Sequence, residues 1–350
     1  MTTITTTDRS AKALTFSLPT CDDTSIWSAW LGVYGFPTLA VADELGLFPL
    51  LKKEPLTAEQ VSEKMSLGPR ATEAMLGVLA SMGFLEKRNE KFHTTPESEN
   101  YLLPDSPYYS GGIIRLLRDM PFTYSMLKDA LLRDKPAVYG GKDLWKAHEM
   151  DQAQAELFTE AMQSISFPAA MGIAVNGNFD GVQRILDIAG GSGCYDIALA
   201  LRYPDMRFTI MELPAICDIT RKYVKRFSLE DRIDVLPANM FLDPWPKGYD
   251  AVFFSNIFHD WDLNSCVELV KKSYNALPRD GKIYLNEALL DDTKTGPPLV
   301  TLYSMDMIYF TLGKQFTARE LTDLLIAGGF EDVSISNPFS VYSLVSAKKP

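Results

Sequence analysis

From Val182 to the C-terminus, apolar runs of strand length alternate with segments of helical period, and few folds accept that pattern. "RILDIAG" reads as a strand and "CYDIALALRYP" as a helix; "RFTIMELP" and "ICDITRKYVKRF" repeat the pair. "IDVLPANMF" and "YDAVFFSNIF" are further strands, followed by the helix "SCVELVKKSYNAL" and the strand "KIYLNEALL". "TARELTDLLIAGGF" is a helix opened by a capping box of Thr317 and Glu320. "EDVSI" and "VYSLVSAKK" then form a closing hairpin. Strands joined through helices run parallel, so the pattern predicts an α/β sheet with helices on its faces and an antiparallel pair at one end.

The ends of those strands carry the polar groups. "LDIAGGSG" sits at the first strand-to-helix turn, where glycines let backbone N–H groups come close to a ligand. Its spacing is not the dinucleotide pattern G-x-G-x-x-G. It is Asp187 at the strand end, then Gly191 and Gly193. Glu212 ends the second strand, where a carboxylate can accept both hydroxyls of a ribose. Asn239 follows the third, able to hydrogen-bond an adenine edge with Met240 or Phe241 packing its face, or simply to cap the next turn. The fourth leads into "NIFHDWD", with His259, one of only three histidines in the chain. The fifth ends at Glu287. A lone strand-end histidine is more often structural, but five polar groups along one sheet edge are hard to assign to packing.

Upstream, residues 37–100 read as helix, helix, helix, hairpin, the order of a winged helix. Thr57 and Gln60 form a capping box, Pro69 opens the third helix, and two short strands flank a turn at Asn89. The third helix carries Arg70 against Glu73 and little other charge, which favours packing or dimerisation over DNA contact. A formal net charge of −11 also argues against nucleic acid. Residues 101–180 read as mostly helical; Phe158, Met162 and Ser166 fall on one helical face, Ser166 being the polar exception. The uncharged stretch 25–42 approaches bilayer length, but Asp and Glu flank it and Pro37 breaks it, so a helix pair buried in a core or a subunit interface is expected rather than an anchor. The N-terminus has no secretory pattern, and the four cysteines are scattered without ligand spacing. Both features fit a cytoplasmic protein with reduced thiols and no metal site.

These residues resemble a known family. "FDGVQRILDIAGGSG", "ELP", "FHDWD" and "ALPRDGKIYLNEALL" are similar, in order and spacing, to the signature segments of S-adenosylmethionine-dependent small-molecule O-methyltransferases, of the plant caffeate-like and bacterial antibiotic-tailoring type. The resemblance implies a Rossmann-like class I methyltransferase sheet with a mainly helical winged-helix N-terminal domain. It implies a tail over 1–24, a dimerisation domain over 25–105, a helical connector over 106–180 and a cofactor-binding domain over 181–350. It further implies a homodimer acting on a small-molecule acceptor, away from membranes.

Position by position, the resemblance places Asp187, Gly191 and Gly193 along the methionine and ribose side of S-adenosylmethionine. Glu212 would take the ribose hydroxyls, Leu213, Asn239 and Met240 the adenine, and Ser166, Ser255 and Asn256 would lie nearby. His259 matches the general base, and Glu287 the acid that orients it. Phe158, Met162, Met307, Tyr309 and Phe310 would line the acceptor pocket. The chain departs from the family pattern at three places: Ala189 where glycine is frequent, Asn239 where aspartate is usual, and Gln315 where plant members carry a second glutamate beside the histidine. Gln315 can orient an imidazole but stabilises its charge less. The expected reaction is methylation of an aromatic or polyketide-like hydroxyl. Alternatives on the same cofactor fold are C- or N-methylation, hydroxylation, decarboxylation or cyclisation. A ligand-sensing regulator and a nicotinamide dehydrogenase are weaker rivals, against which stand the sparse basic charge and the glycine spacing.

Overall fold

The computed structural model describes residues 3–5, 15–120, 122–138 and 151–350. Residues 1–2 and 6–14 of the expected tail, and 121 and 139–150 of the expected connector, lie outside the described residues. The chain divides into two compact units, Met1–Pro104 and Asp105–Pro350.

The first unit opens with an antiparallel pair, β1 (Thr3–Thr5) and β2 (Thr15–Ser17). Helices α1 (Thr24–Leu31), α2 (Gly35–Glu44), α3 (Leu47–Lys53), α4 (Ala58–Met65) and α5 (Pro69–Ser81) follow. The hairpin β3 (Leu85–Arg88) and β4 (Lys91–Thr94) and helix α6 (Pro96–Tyr101) complete it. Asn89 and Glu90 both take positive φ, the requirement of a two-residue hairpin turn whose twist matches its strands. Thr57 and Gln60 form a reciprocal capping box, and so do Thr95 and Ser98. The stretch 25–42 became α1, a short 3-10 turn and α2, leaving Trp27, Trp30, Val33 and Tyr34 exposed. Among the described residues no helix is long and apolar enough to cross a membrane.

The second unit begins with α7 (Gly111–Arg118), α8 (Tyr124–Arg133) and the long α9 (Gln152–Asn176). Then come β5 (Arg184–Ile188), α10 (Cys194–Arg202), β6 (Arg207–Glu212), α11 (Pro214–Arg226), β7 (Ile233–Pro237) and β8 (Ala251–Ser255). The chain finishes with α12 (Leu263–Ala276), β9 (Lys282–Ala288), α13 (Pro298–Phe310), α14 (Ala318–Ala327), β10 (Glu331–Phe339) and β11 (Tyr342–Lys348).

These strands form one seven-stranded sheet in the order β10-β11-β9-β8-β5-β6-β7. The five strands from β9 to β7 are parallel, and β11 pairs antiparallel with β9 and β10. Both faces are covered, which explains why the strands read as continuous apolar runs. Successive residues serve opposite cores. Ile185 and Phe253 pack with α9 and α10 residues such as Ile173 and Ile197, whereas Leu186 and Phe254 pack with Leu269 and Leu325 of α12 and α14. The fold is the α/β class with parallel strands, a terminal antiparallel pair and a mainly helical N-terminal unit.

Candidate active site

Strand β5 has β6 on one side and β8 on the other, so the chain order reverses between β5 and β8. In open α/β sheets such a reversal leaves a crevice beyond the carboxyl ends of the two strands. The glycine turn leaves β5 there, and the turn bearing His259 leaves β8.

Gly191 and Gly193 both take positive φ, which a residue with a side chain adopts at a cost. A Cβ on Gly190 would collide with the Asp187 carboxylate tucked beneath the turn. Glu212 clamps the turn from the next strand: its Oε2 accepts from the Gly191 N–H at 2.9 Å, and its Oε1 from the Leu213 N–H at 2.7 Å. Ser192 in the turn donates to Gln163 of α9 at 2.5 Å, which ties the long helix to the loop. Beneath it lies a group that the sequence reading missed. Asp196, in the first turn of α10, is fully buried against Asp187, and among the described residues no donor other than that neighbouring carboxyl reaches its oxygens. Burial, then the neighbouring carboxyls, hold Asp187 well above the usual carboxylate range; burial pushes Asp196 up to about 7. Burial also raises Glu212, against the two backbone N–H groups that favour its charge.

His259 sits in a 3-10 turn, Phe258–Asp260, and is 3% exposed. Glu287 at the end of β9 holds that turn twice over. Its Oε1 accepts from the N–H groups of Ile257 and Phe258 at 3.1 and 2.9 Å, and its Oε2 lies 2.9 Å from His259 Nδ1. The second acid of "HDWD", Asp262, caps α12 by accepting from the Ser265 N–H. Gly313 packs directly on the His259 carbonyl, where any Cβ would clash with backbone. That close approach brings Gln315 to the ring, its amide nitrogen 3.2 Å from Nδ1. Nδ1 is thus approached by both the Glu287 carboxylate and the Gln315 amide, and Glu287 Oε2 and Gln315 Oε1 have no hydrogen-bond partner among the described residues; a hydrogen on Nδ1 would serve Glu287 if the Gln315 amide turned its oxygen to the imidazole.

A further carboxylate stands at the other ring nitrogen. Asp260 Oδ1 lies 3.7 Å from Nε2. Asp306 of α13 also acts on the imidazole, and its side chain is exposed. Burial pulls the imidazole down, but Glu287, Asp260 and Asp306 outweigh it and hold it up to about 9. Burial lifts Asp260 to about 7. Neither acid was singled out from the sequence. A signal existed for Asp306, which shares the α13 face of Tyr303, Met307 and Phe310 by helical spacing. Tyr303 stands edge-on to His259, ring centroids 5.3 Å apart.

The other expected residues are distributed as follows. Ser255 accepts from Asn286 Nδ2 at 2.9 Å, and Asn286 also reaches Tyr195, so Ser255 belongs to a buried polar network. Ser166 is buried beside the same Tyr195. Asn256 takes positive φ and donates to Tyr342 Oη at 3.4 Å. Asn239 Oδ1 accepts from the N–H groups of Phe241 and Leu242, which caps the turn and leaves only its amide hydrogens for a ligand. Met240 packs on the core beneath β8, and Leu213 is the residue before α11. Phe158 and Met162 are half-buried on α9. Met307 and Tyr309 are buried on α13, with Tyr309 against Phe122 and Phe310. Among the described residues no group of three histidine, cysteine or acidic side chains is placed to hold a metal ion.

Comparison with known proteins gives consistent matches. An O-methyltransferase domain matches residues 124–331, and an O-methyltransferase dimerisation domain matches residues 27–104. A 3-hydroxy-5-methyl-1-naphthoate 3-O-methyltransferase of Streptomyces sahachiroi is 31% identical over 306 residues, covering 86% of this chain and 88% of that protein. An L-tyrosine C(3)-methyltransferase of Streptomyces lavendulae is 28% identical over 292 residues, covering 81% of this chain and 79% of that one. The structure of human N-acetylserotonin methyltransferase in complex with SAM shares the fold, with a TM-score of 0.81 at 24% identity over 95% of this chain and 99% of that one.

Proposed function

The chain belongs to the S-adenosylmethionine-dependent O-methyltransferase family, with that family's dimerisation domain at its N-terminus, and we propose that it methylates a hydroxyl of a small aromatic or polyketide-like natural product with His259 as the base. The crevice at the strand reversal fits the cofactor. Glu212 spends one lone pair of each oxygen on a backbone N–H and keeps others for the two ribose hydroxyls. Asp187, Gly191, Gly193 and Glu212 would hold the nucleoside and methionine ends, with Leu213, Asn239, Met240, Ser166, Ser255 and Asn256 around them. When bound, the cofactor supplies a methyl group already activated by a positive sulfur.

The observation that carries the reading is the placement of Glu287 at Nδ1. A carboxylate there favours a ring hydrogen on Nδ1 and leaves Nε2, 3.7 Å from Asp260, as the nitrogen that accepts a proton once the pH has freed it of its own. Nε2 can then take the acceptor's proton as its oxygen bonds to the methyl carbon. The protein's larger contribution is alignment, worth roughly 7–11 kcal/mol in well-oriented reactions. Phe158, Met162, Met307, Tyr309 and Phe310 would hold a flat ring against the base. The dimerisation domain supports a homodimer.

Incubation with S-adenosylmethionine and a panel of phenols, naphthols and polyketides tests the proposal; it expects a product about 14 Da heavier, the methyl on oxygen. Similarity to an L-tyrosine C(3)-methyltransferase favours a second reading, transfer to ring carbon ortho to an ionised hydroxyl. His259 would serve it equally by removing the phenolic proton. NMR of the product separates the two.

A further inference from the structure

Lys272, on α12, spends its ammonium on backbone. Its Nζ donates to the carbonyls of Met240 and Phe241, both at 2.6 Å, and to that of Asp243 at 3.2 Å. An ammonium has three hydrogens, so these contacts use all of them. The Trp245 indole donates to the same Met240 carbonyl at 2.8 Å, and Lys272 lies over the Trp245 ring. A trans peptide carries its N–H and its C=O on opposite sides. The N–H groups behind the Met240 and Phe241 carbonyls are those of Phe241 and Leu242, and both donate to Asn239 Oδ1, at 2.9 and 3.2 Å. Lys272 and Asn239 therefore grip the same two peptides from opposite sides.

That grip decides what the turn after β7 offers a ligand. With Oδ1 held inward, the Asn239 side chain presents its NH2 group. The Asn239 carbonyl accepts from the Asp243 N–H at 3.0 Å, so the Met240 N–H, on the other side of that peptide, points away from the turn and donates to no described residue. Both groups on offer are donors. The turn stands beside Glu212, whose backbone carbonyl accepts from the Ala238 N–H at 2.8 Å. A nucleoside whose ribose met the Glu212 carboxylate would bring its base here. Donors match the ring nitrogens of adenine, which accept, and not its amino group, which donates.

We propose that Lys272 is a positioning residue for cofactor recognition: by fixing the Asn239 amide and the Met240 peptide, it makes the turn read a ring nitrogen of adenine. The inference rests on the reading that places adenine against Asn239 and Met240.

The test is calorimetric binding of S-adenosylhomocysteine and of its 1-deaza, 3-deaza and 7-deaza analogues, each of which replaces one accepting ring nitrogen by C–H. A donor left unpaired costs about tenfold or more, so in the parent at least one analogue should bind weaker than S-adenosylhomocysteine by that factor. Lys272→Met frees the two peptides; it should weaken S-adenosylhomocysteine and shrink the analogue's penalty to about threefold or less. Lys272→Gln, whose amide keeps two donors, should lose less, and it carries the same test where the methionine variant does not fold. A lysine with a merely structural role would lower the melting temperature and leave the ratio between the ligands unchanged. A penalty that persists undiminished in the variants therefore overturns the role of Lys272 and leaves the placement of adenine standing. If no analogue is penalised in the parent, adenine does not meet these donors, and the placement and the proposal fall together.

Discussion

Glu287→Gln preserves shape and removes one charge, and the structure dictates more than a simple weakening. The N–H groups of Ile257 and Phe258 both point at Oε1, at 3.1 and 2.9 Å, so the glutamine oxygen must face them. Its NH2 group then faces His259 Nδ1 across the 2.9 Å now spanned by Oε2. Two donors cannot meet, so the ring must move its hydrogen to Nε2, the atom that has to accept the acceptor's proton. The charge term alone is substantial. Unit charges 2.9 Å apart attract by about 6 kcal/mol at an effective dielectric of 20, of which desolvation leaves roughly 1.5–3 kcal/mol for a charged hydrogen bond. The tautomer change removes the base outright, so kcat should fall by roughly 10²–10⁴, the usual worth of general base catalysis, to the level of His259→Ala. S-adenosylhomocysteine affinity, measured by calorimetry, should stay within about twofold, because Glu287 does not face the glycine turn. With only three histidines in the chain, the ¹⁵N shifts of His259 can be assigned by substitution and report the tautomer directly. A kcat within about threefold of the parent, or an Nδ1 that keeps its hydrogen, would refute the reasoning.

Two further perturbations follow from the same cluster. Because His259 is held up to about 9, kcat/KM should climb with pH well beyond the usual histidine range, and Asp260→Asn should move that limb downward; a limb near 6.5 in both proteins would contradict it. Burial holds Asp260 up to about 7 from 3.8, so it binds its proton more tightly folded than unfolded. Its contribution is whole below about 3.8 and lost as pH rises through 7, so the melting temperature of Asp260→Asn should gain on the parent between pH 4 and 8. Gly313→Ala should cut kcat at least tenfold with S-adenosylhomocysteine affinity retained, since a Cβ there strikes the His259 carbonyl and only the backbone can yield. An unchanged kcat would show that the Gly313 loop does not set the base.

The sheet was legible because its determinants are local. Each parallel strand is an apolar run bounded by turn residues, and Thr317 with Glu320 and Thr57 with Gln60 close the capping boxes that their spacing announces. Once the strands are parallel, their polar termini must share an edge, so the meeting of His259 and Glu287 was implied by order alone. What the sequence could not show is which carboxylates are solvated. Asp260 and Asp262 look alike in "HDWD", yet one caps a helix in the open and the other is buried against an imidazole, a difference set by where α12 begins. Asp196 sits in a helix whose composition gives no sign that β5 will press Asp187 toward it. Asp306 reads as an ordinary exposed residue of α13 until the Gly313 loop folds back over the His259 turn. In each case the distinguishing fact is a packing contact between elements distant in sequence, and such contacts decide a carboxylate's charge. That is why the meeting of His259 with Glu287 could be read from strand order, whereas the charge around the imidazole required the fold.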